Sequence, residues 1–440
     1  MTPKSAVYFN PRDLHGLPSH RMNPLGHIRW SSPTLIPDLK VAIENLRPRS
    51  GAQGAVYFEE SADRISEALG LIVTKIDGEL SLPGFYKATT ALVRNDGEWR
   101  DIAWEMHSSG IDLCRSVEAE IHAAREDSSG GFKGIIGEIQ RAVACLSDPQ
   151  LMDALSPPYD FDLADLCSED HHTQLYLMVP PDMISPWKAV LKSFFVRAVT
   201  EKSRKPQAEE LLLMLDECGQ LEGFPLVPKL FTYGAGIGVK PFAVFQSFRQ
   251  MDNVAPGAER IIPSSAALQM YFGIRDLDTA RTVSAMLGDE TLGFDDELTQ
   301  SRAKADRLSL LQKLMGGGDP FQLSHKLRQK SFESDYRRKI RRPLMTPDEL
   351  LRLPGERMLV FADNLPGAIF AQRRPYWDQP FMAGRYHPNP YHPPLDRVTV
   401  ATSSGHKEER PVIREAVPDR FAHLPQYRDG MWSHIGEDKT

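Results

Sequence analysis

Apolar residues along this chain follow two rhythms, short unbroken or alternating runs that predict strands and 3.6-residue spacing that predicts helices. "SAVYFNP", Ser5 to Pro11, is a short apolar run closed by Asn-Pro and predicts a strand. From Ser32 to Ala144 the spacing becomes helical. "SADRISEALGLIVTKI" carries apolar residues at that period, and "VEAEIHAAREDSSGGFKGIIGEIQRAVACL" predicts two helices around a Ser-Gly-Gly break. Strand signals return with "TQLYLMV", Thr173 to Val179, which stops at Pro180-Pro181. "LLLMLDE" follows, then "PFAVFQS" over Pro241 to Ser247 and "LQMYFG" over Leu268 to Gly273. Helical stretches, "WKAVLKSFFVRAVTE" and "GFPLVPKLFTYG", separate the first three of these. The alternation predicts parallel crossovers in an α/β sheet, with the helical block inserted between the first strand and the rest.

Past Asp295 the chain turns polar and helical, with a Gly316–Gly318 break. "MLVFAD" and "AIFAQRRPY" predict a closing pair of strands. After about Pro393 the mixture of Pro, Ser, Gly and charge predicts a poorly ordered tail. No internal repeat is present.

Composition narrows the classes. The 440 residues are 41% apolar and 25% charged, as in a globular chain with room for two or three domains. A net charge of −7 excludes a generally basic, nucleic-acid-coating protein, so any polyanion contact is local. Cys114, Cys145, Cys167 and Cys218 form no CxxC pair, which predicts reduced thiols rather than a zinc site. No apolar run approaches the roughly 20 residues of a spanning helix, and the N-terminus lacks the apolar core of a signal peptide.

Candidate chemistry concentrates in "LLLMLDECGQL", Leu211 to Leu221. Five apolar residues in a row predict a strand buried on both faces, ending at Asp216 and Glu217. A parallel strand delivers such carboxylates to the sheet edge where ligands bind. There an Asp can hold a magnesium shell and a following Glu can orient or deprotonate the attacking water. The plain alternative is that Asp216 caps the next helix and Glu217 is solvated. "FAVFQS" puts Gln246 at the end of the next strand, where an amide can contact a terminal phosphate or that water; it can equally satisfy loop backbone.

"YGAGIGVKP", Tyr233 to Pro241, fails the phosphate-loop pattern, because Val239 stands five residues after Gly234 and Lys240 precedes Pro241. "GGFKGIIGE" fails the same test. "HKLRQKSFESDYRRKIRRP" is the densest basic stretch; eight Lys/Arg lie between Lys326 and Arg342, with Phe332 and Tyr336 interleaved. Read as a helix, it offers Arg337, Arg338, Arg341 and Arg342 to a phosphate backbone or to anionic lipid, or it is a solvated face. His171, His172, His387 and His392 lack the spacing of a helical metal pair, and no Gly-x-Ser-x-Gly is present.

Several stretches together resemble one family. "VYFNPRDLHGLPSHRMNPL", "YLMVPPDMISPWKAVLKSFF", "LLLMLDECGQLEGFPLVPKLFTYGAGIGVKPFAVFQSFRQM", "MYFGIRDLDTARTVSAMLGDETL" and "RRPLMTPDELLRLP" occur in the order seen in TraG/TraD-type coupling proteins of conjugative type IV secretion. The resemblance covers about Ser5 to Tyr391. It implies an α/β, RecA-like P-loop NTPase-type fold with a mostly parallel sheet and an inserted all-α domain. Residues 1–31 would give the first strand and loop of the nucleotide-binding domain, 32–150 the insertion, 151–393 the remainder, and 394–440 the tail.

The resemblance further implies ATP and Mg2+ as cofactors, with Asp216 holding the magnesium shell, Glu217 as water-activating base and Gln246 sensing the terminal phosphate. Family members are membrane-anchored homo-hexamers that bring DNA, relaxase or effector proteins to the secretion channel. This chain would work in the cytoplasm at the inner face of the bacterial inner membrane. The family's membrane helices, phosphate loop and Asp-Pro-Lys-Gly-Glu segment belong before residue 5. The expectation is therefore an N-terminally truncated or split motor that binds nucleotide weakly alone. Two other readings stand beside it: an interaction module without turnover, and an unrelated enzyme using Asp216 and Glu217 as an acid/base pair. Adjacent strand residues point to opposite faces, which counts against the last.

Overall fold

Ser5–Phe9 (β1) and Thr173–Leu177 (β2) pair in parallel across more than 160 residues of intervening chain, with Val7 opposite Leu175. The computed structural model describes residues 5–47, 56–126, 131–168, 172–295, 297–316, 320–335, 337–375, 396–401, 407–420, 422 and 430–435. His171, Tyr336, His387 and His392 lie outside them. The chain divides into two compact units, residues 1–266 with 374–440, and residues 267–373.

In the first unit the stretch between β1 and β2 is helical. Its helices are α1 (Leu35–Leu46), α2 (Val56–Asp77), α3 (Leu82–Arg94), α4 (Gly97–Ser108), α5 (Asp112–Glu126), α6 (Gly131–Val143) and α7 (Pro149–Ala154). Side-chain caps start several of them. Ser81 accepts from Gly84 N, Asp96 from Trp99 N, and Asp148 from Gln150 N. Among the described residues this stretch holds no strand; one isolated bridge joins Arg29 to Glu79. The loop after β1 ties it down. Asn10 is buried and cages the turn, donating to Leu14 O and Leu17 O. Asn23 donates to Leu80 O at 2.9 Å and accepts from Leu25 N. The "SHRMNPL" motif is thus largely a structural lock.

After β2 comes α8 (Pro181–Arg204), then β3 (Leu211–Leu215), α9 (Leu226–Tyr233), β4 (Val239–Ala243), α10 (Phe248–Val254) and α11 (Ala258–Ser265). β3 and β4 pair in parallel, Leu211 opposite Val239 and Leu215 opposite Ala243. α8 serves two cores. Trp187, Val190 and Phe194 pack with the helical stretch and β1, where Phe194 meets Phe9 at 4.7 Å between ring centroids. Leu191, Val196 and Val199 pack with β3 and β4. Arg197 on the same helix is buried and bonds Glu201 at 2.9 Å and Asp162 at 3.1 Å; desolvation pulls its pKa down to about 10.

The second unit contains β5 (Leu268–Tyr271), α12 (Leu277–Leu287), β6 (Asp289–Asp295), α13 (Glu297–Met315), α14 (Pro320–Asp335), β7 (Arg337–Pro343), α15 (Pro347–Leu351), β8 (Arg357–Ala362) and β9 (Ile369–Gln372). Ile274, Ala280, Val283, Leu350 and Leu359 form its core. "TPDEL" is a capping box: Thr346 Oγ1 accepts from Glu349 N, and Glu349 Oε2 accepts from Thr346 N at 2.8 Å.

Four expectations need correction. β5 pairs antiparallel with β8, and β8 with β9, so the parallel rule stops after β4. Strand β3 is not buried on both faces, since Leu212 and Met214 are 60% and 59% exposed. The basic stretch is not one helix. α14 ends at Asp335, and Arg337, Arg338, Arg341 and Arg342 lie on β7, antiparallel to β6. On the facing strand Asp289 pairs with Arg341 and Glu290 lies opposite Arg342, and such cross-strand charge pairing favours the ribbon over a helix of like charges. Finally, the tail is not structureless. Arg397–Ala401 (β10), Lys407–Ala416 (β11) and Met431–Ile435 (β12) form an antiparallel sheet around buried Val398, Val400 and Ile435.

Candidate functional site

The parallel register of β3 and β4 decides what meets at their carboxyl ends. The ladder continues past both strands, since Val244 N donates to Leu215 O and Cys218 N donates to Val244 O, each at 3.1 Å. Asp216 and Glu217 leave β3 at this edge. Gln246, three residues beyond β4 rather than at its end, comes up beside them.

Gln246 Nε2 donates to both oxygens of Glu217, at 3.3 and 3.1 Å. Asp216 is exposed, and its Oδ1 accepts from Glu217 N at 3.1 Å, which leaves the other oxygen facing solvent. Glu217 itself takes a left-handed backbone, φ 53° and ψ 39°. A non-glycine residue in that region is held there at a cost of order 1–3 kcal/mol. The following 3-10 turn, Cys218–Gln220, holds it, with Gln220 N donating to Glu217 O at 2.9 Å. Because this turn breaks the strand alternation, both carboxylates reach the same exposed edge.

Sequence reasoning missed three residues here. Gln250 Oε1 accepts from Gln246 N at 2.9 Å, and its Nε2 donates to Gln246 Oε1 at 3.4 Å, which fixes the Gln246 amide. Gly219 leaves room for it, since a Cβ there would lie 2.8 Å from Gln250 Oε1. Lys192, fully buried on α8, donates to the carbonyls of Glu222 and of Gly223 and lies 5.7 Å from the Phe224 ring centroid. It pins the end of the Asp-Glu loop, and burial pulls its pKa down to about 8. A second Gln four residues after the first, at the start of a helix, was the available signal for Gln250. Nothing in the local sequence marks Lys192. Cys218 is buried, and desolvation pushes its thiol up to about 12.

Among the described residues no group of three or more His, Cys, Asp or Glu could hold a metal ion. A single exposed carboxylate suits a magnesium ion that keeps its waters and takes its remaining ligands from phosphates. The donor set therefore fits nucleotide-borne magnesium and not a protein-caged metal. A separate open cavity of about 620 Å³, lined by Pro11, Asp13, Arg21, Gln150, Asp153 and Asp160, includes none of the three site residues. No described helix is long and apolar enough to cross a membrane.

Solved structures of similar fold belong to conjugative coupling proteins. The bacterial conjugative coupling protein TrwB, in an unbound form, superposes with a TM-score of 0.56 at 17% identity, covering 84% of this chain and 76% of that one. TrwB with the GTP analogue GDPNP gives 0.55 at 16% identity, covering 84% and 76%, and TrwB with ADP and Mg2+ gives 0.53 at 15%, covering 84% and 74%. The chain has the RecA-like α/β fold of TrwB. Residues 4–393 match the family model for type IV secretory system conjugative DNA transfer, and the chain belongs to that family. Two conjugal transfer proteins TraG of Escherichia coli are each 23% identical, one over 335 residues (70% of this chain, 48% of TraG) and one over 414 (86% and 60%). The chain thus spans about half to three-fifths of these relatives' length.

Proposed function

We propose that this chain is a motor segment of a conjugative coupling protein, linking DNA or protein substrate to the type IV secretion channel. The observation that carries the reading is the double contact of Gln246 Nε2 with the Glu217 carboxylate at the carboxyl edge of β3 and β4. In this reading Asp216 holds the hydration shell of magnesium on ATP. Glu217 takes a proton from the attacking water, and Gln246 exchanges its hydrogen bond between Glu217 and the terminal phosphate. ATP with Mg2+ supplies the phosphoryl group. TrwB, solved with ADP and Mg2+, supports that pairing of cofactors. Helices α1–α7 are the inserted domain, and the working assembly is a homo-hexamer that receives relaxase or effector at the inner face of the inner membrane.

The 440 residues contain no Gly-x4-Gly-Lys-Ser/Thr, so the phosphate cradle comes from a segment outside them. The test is magnesium-dependent ATP hydrolysis by the chain alone and by the chain with a phosphate-loop segment of the same family. Background turnover alone and turnover in the mixture are expected. Equal turnover without the loop would overturn the reading.

The proposal extends to DNA through β7. Arg341 pairs with Asp289 and Arg342 with Glu349, so two of the four arginines already have acid partners. Changing Arg337, Arg338, Arg341 and Arg342 together to Gln should flatten the salt slope of DNA binding by less than the roughly four expected of unpaired cations. Anisotropy titrations across salt concentrations read this slope, and an unchanged slope would remove DNA contact from β7.

A further inference from the structure

The ribbon β6–β7 carries a helical hairpin that neither the catalytic reading nor the DNA reading uses. α13 runs outward from β6 and α14 returns to β7, and Lys330 bonds Asp306 across the pair at 3.1 Å. That bridge puts residues summing to 636 side by side in the antiparallel pair, so Met315 at the end of α13 and Phe321 at the start of α14 stand at one level. They are 91% and 90% exposed, the highest values among large apolar side chains of the described residues. Leu308 and Leu311, 62% and 40% exposed, continue the apolar face toward Met315 at i, i+3 and i+7.

The hairpin and its ribbon are predominantly basic. Residues 297–343 hold twelve Lys/Arg and five Asp/Glu, a net +7 in a chain of net −7. Between Arg307 and Lys330 there are five Lys/Arg against Asp319 alone. Of these, Arg307, Lys313, Lys326 and Arg328 are exposed. A basic arm with an apolar wedge also occurs in nucleic-acid binding, so DNA binding is the competing outcome of the test. An apolar tip behind a basic collar matches the layering of a bilayer surface, with acyl chains inside and anionic headgroups outside.

We propose that the α13–α14 tip docks on an anionic membrane surface, with Met315 and Phe321 entering the headgroup–acyl boundary and Arg307, Lys313, Lys326 and Arg328 meeting lipid phosphates. The inference does not depend on nucleotide turnover at Glu217.

The experiment is co-sedimentation of the full chain with phosphatidylcholine vesicles, with and without phosphatidylglycerol. Binding is expected only with the anionic lipid and should weaken as salt rises. Met315→Glu with Phe321→Glu should lower partitioning at least tenfold. Each of the four basic residues changed to Gln should lower it about fivefold at low salt. Because the tip is solvent-exposed, these variants should keep the wild-type circular dichroism and melting curve. No binding to anionic vesicles overturns the proposal, as does binding that the double tip variant retains. Loss of DNA binding in the tip variant, with vesicle binding intact, would reassign the arm to nucleic acid.

Discussion

Replacing Glu217 with glutamine is expected to lower ATP turnover about 10²- to 10⁴-fold in a motor completed by a phosphate loop, with nucleotide affinity changed only a few-fold. Glutamine keeps the volume and the hydrogen bond to Gln246 but cannot take a proton from water. The ground-state complex loses little, because the contacts of a bound nucleotide come mainly from the phosphate cradle and magnesium. The transition state loses its base. The effect should therefore fall on kcat and kcat/KM together, the pattern of an interaction made only in the transition state. Single-turnover hydrolysis and equilibrium nucleotide binding, measured side by side, check it. A variant that retains more than about a tenth of wild-type turnover would remove Glu217 from the role of base.

Trp187→Ala is expected to cost about 3–5 kcal/mol of stability. Trp187 is 1% exposed, packs in the core shared by β1, the helical stretch and α8, and carries the Arg12 guanidinium 5.5 Å above its ring. Removing the indole leaves a cavity and strips Arg12 of that face. The loss should spread to the candidate site, because the opposite side of α8 packs against β3 and β4. Trp104→Ala is the control. Trp104 is 67% exposed, so its removal should change stability by under about 0.5 kcal/mol. Urea denaturation of both variants measures the difference, and a Trp187→Ala cost under about 1 kcal/mol would contradict the shared-core account.

Much of the fold was legible where the local pattern and the tertiary environment agree. β1, β2, α8, β3, α9 and β4 follow from apolar runs separated by helical spacing and proline stops. The pattern failed where charge dominated. Arg337 to Arg342 look helical beside "HKLRQKSFESD", and only the acids of β6, more than 40 residues earlier, select a strand. The tail failed differently. Val398, Val400, Val412 and Ile435 alternate correctly but sit in short strands diluted by polar residues. At the site, the residue types could be read but their geometry could not. Glu217 and Gln246 lie 29 positions apart, and they meet through strand register and a left-handed residue that no local signal announces. Gln250, Gly219 and Lys192 act on that geometry at one remove, through contacts that sequence spacing does not encode.

The bare face of β3 lies on the strand that leads to the candidate site. Leu212 and Met214 look outward on the same strand that delivers Asp216 and Glu217, and Phe242 stands opposite Met214 on β4. Any surface laid across these side chains would press on the two strands whose register brings Glu217 beside Gln246. A gap of a few tenths of an ångström there is the difference between a made and an unmade hydrogen bond. A surface that covered Leu212, Met214 and Phe242 would bury apolar area on the strand pair that leads to Glu217 and Gln246.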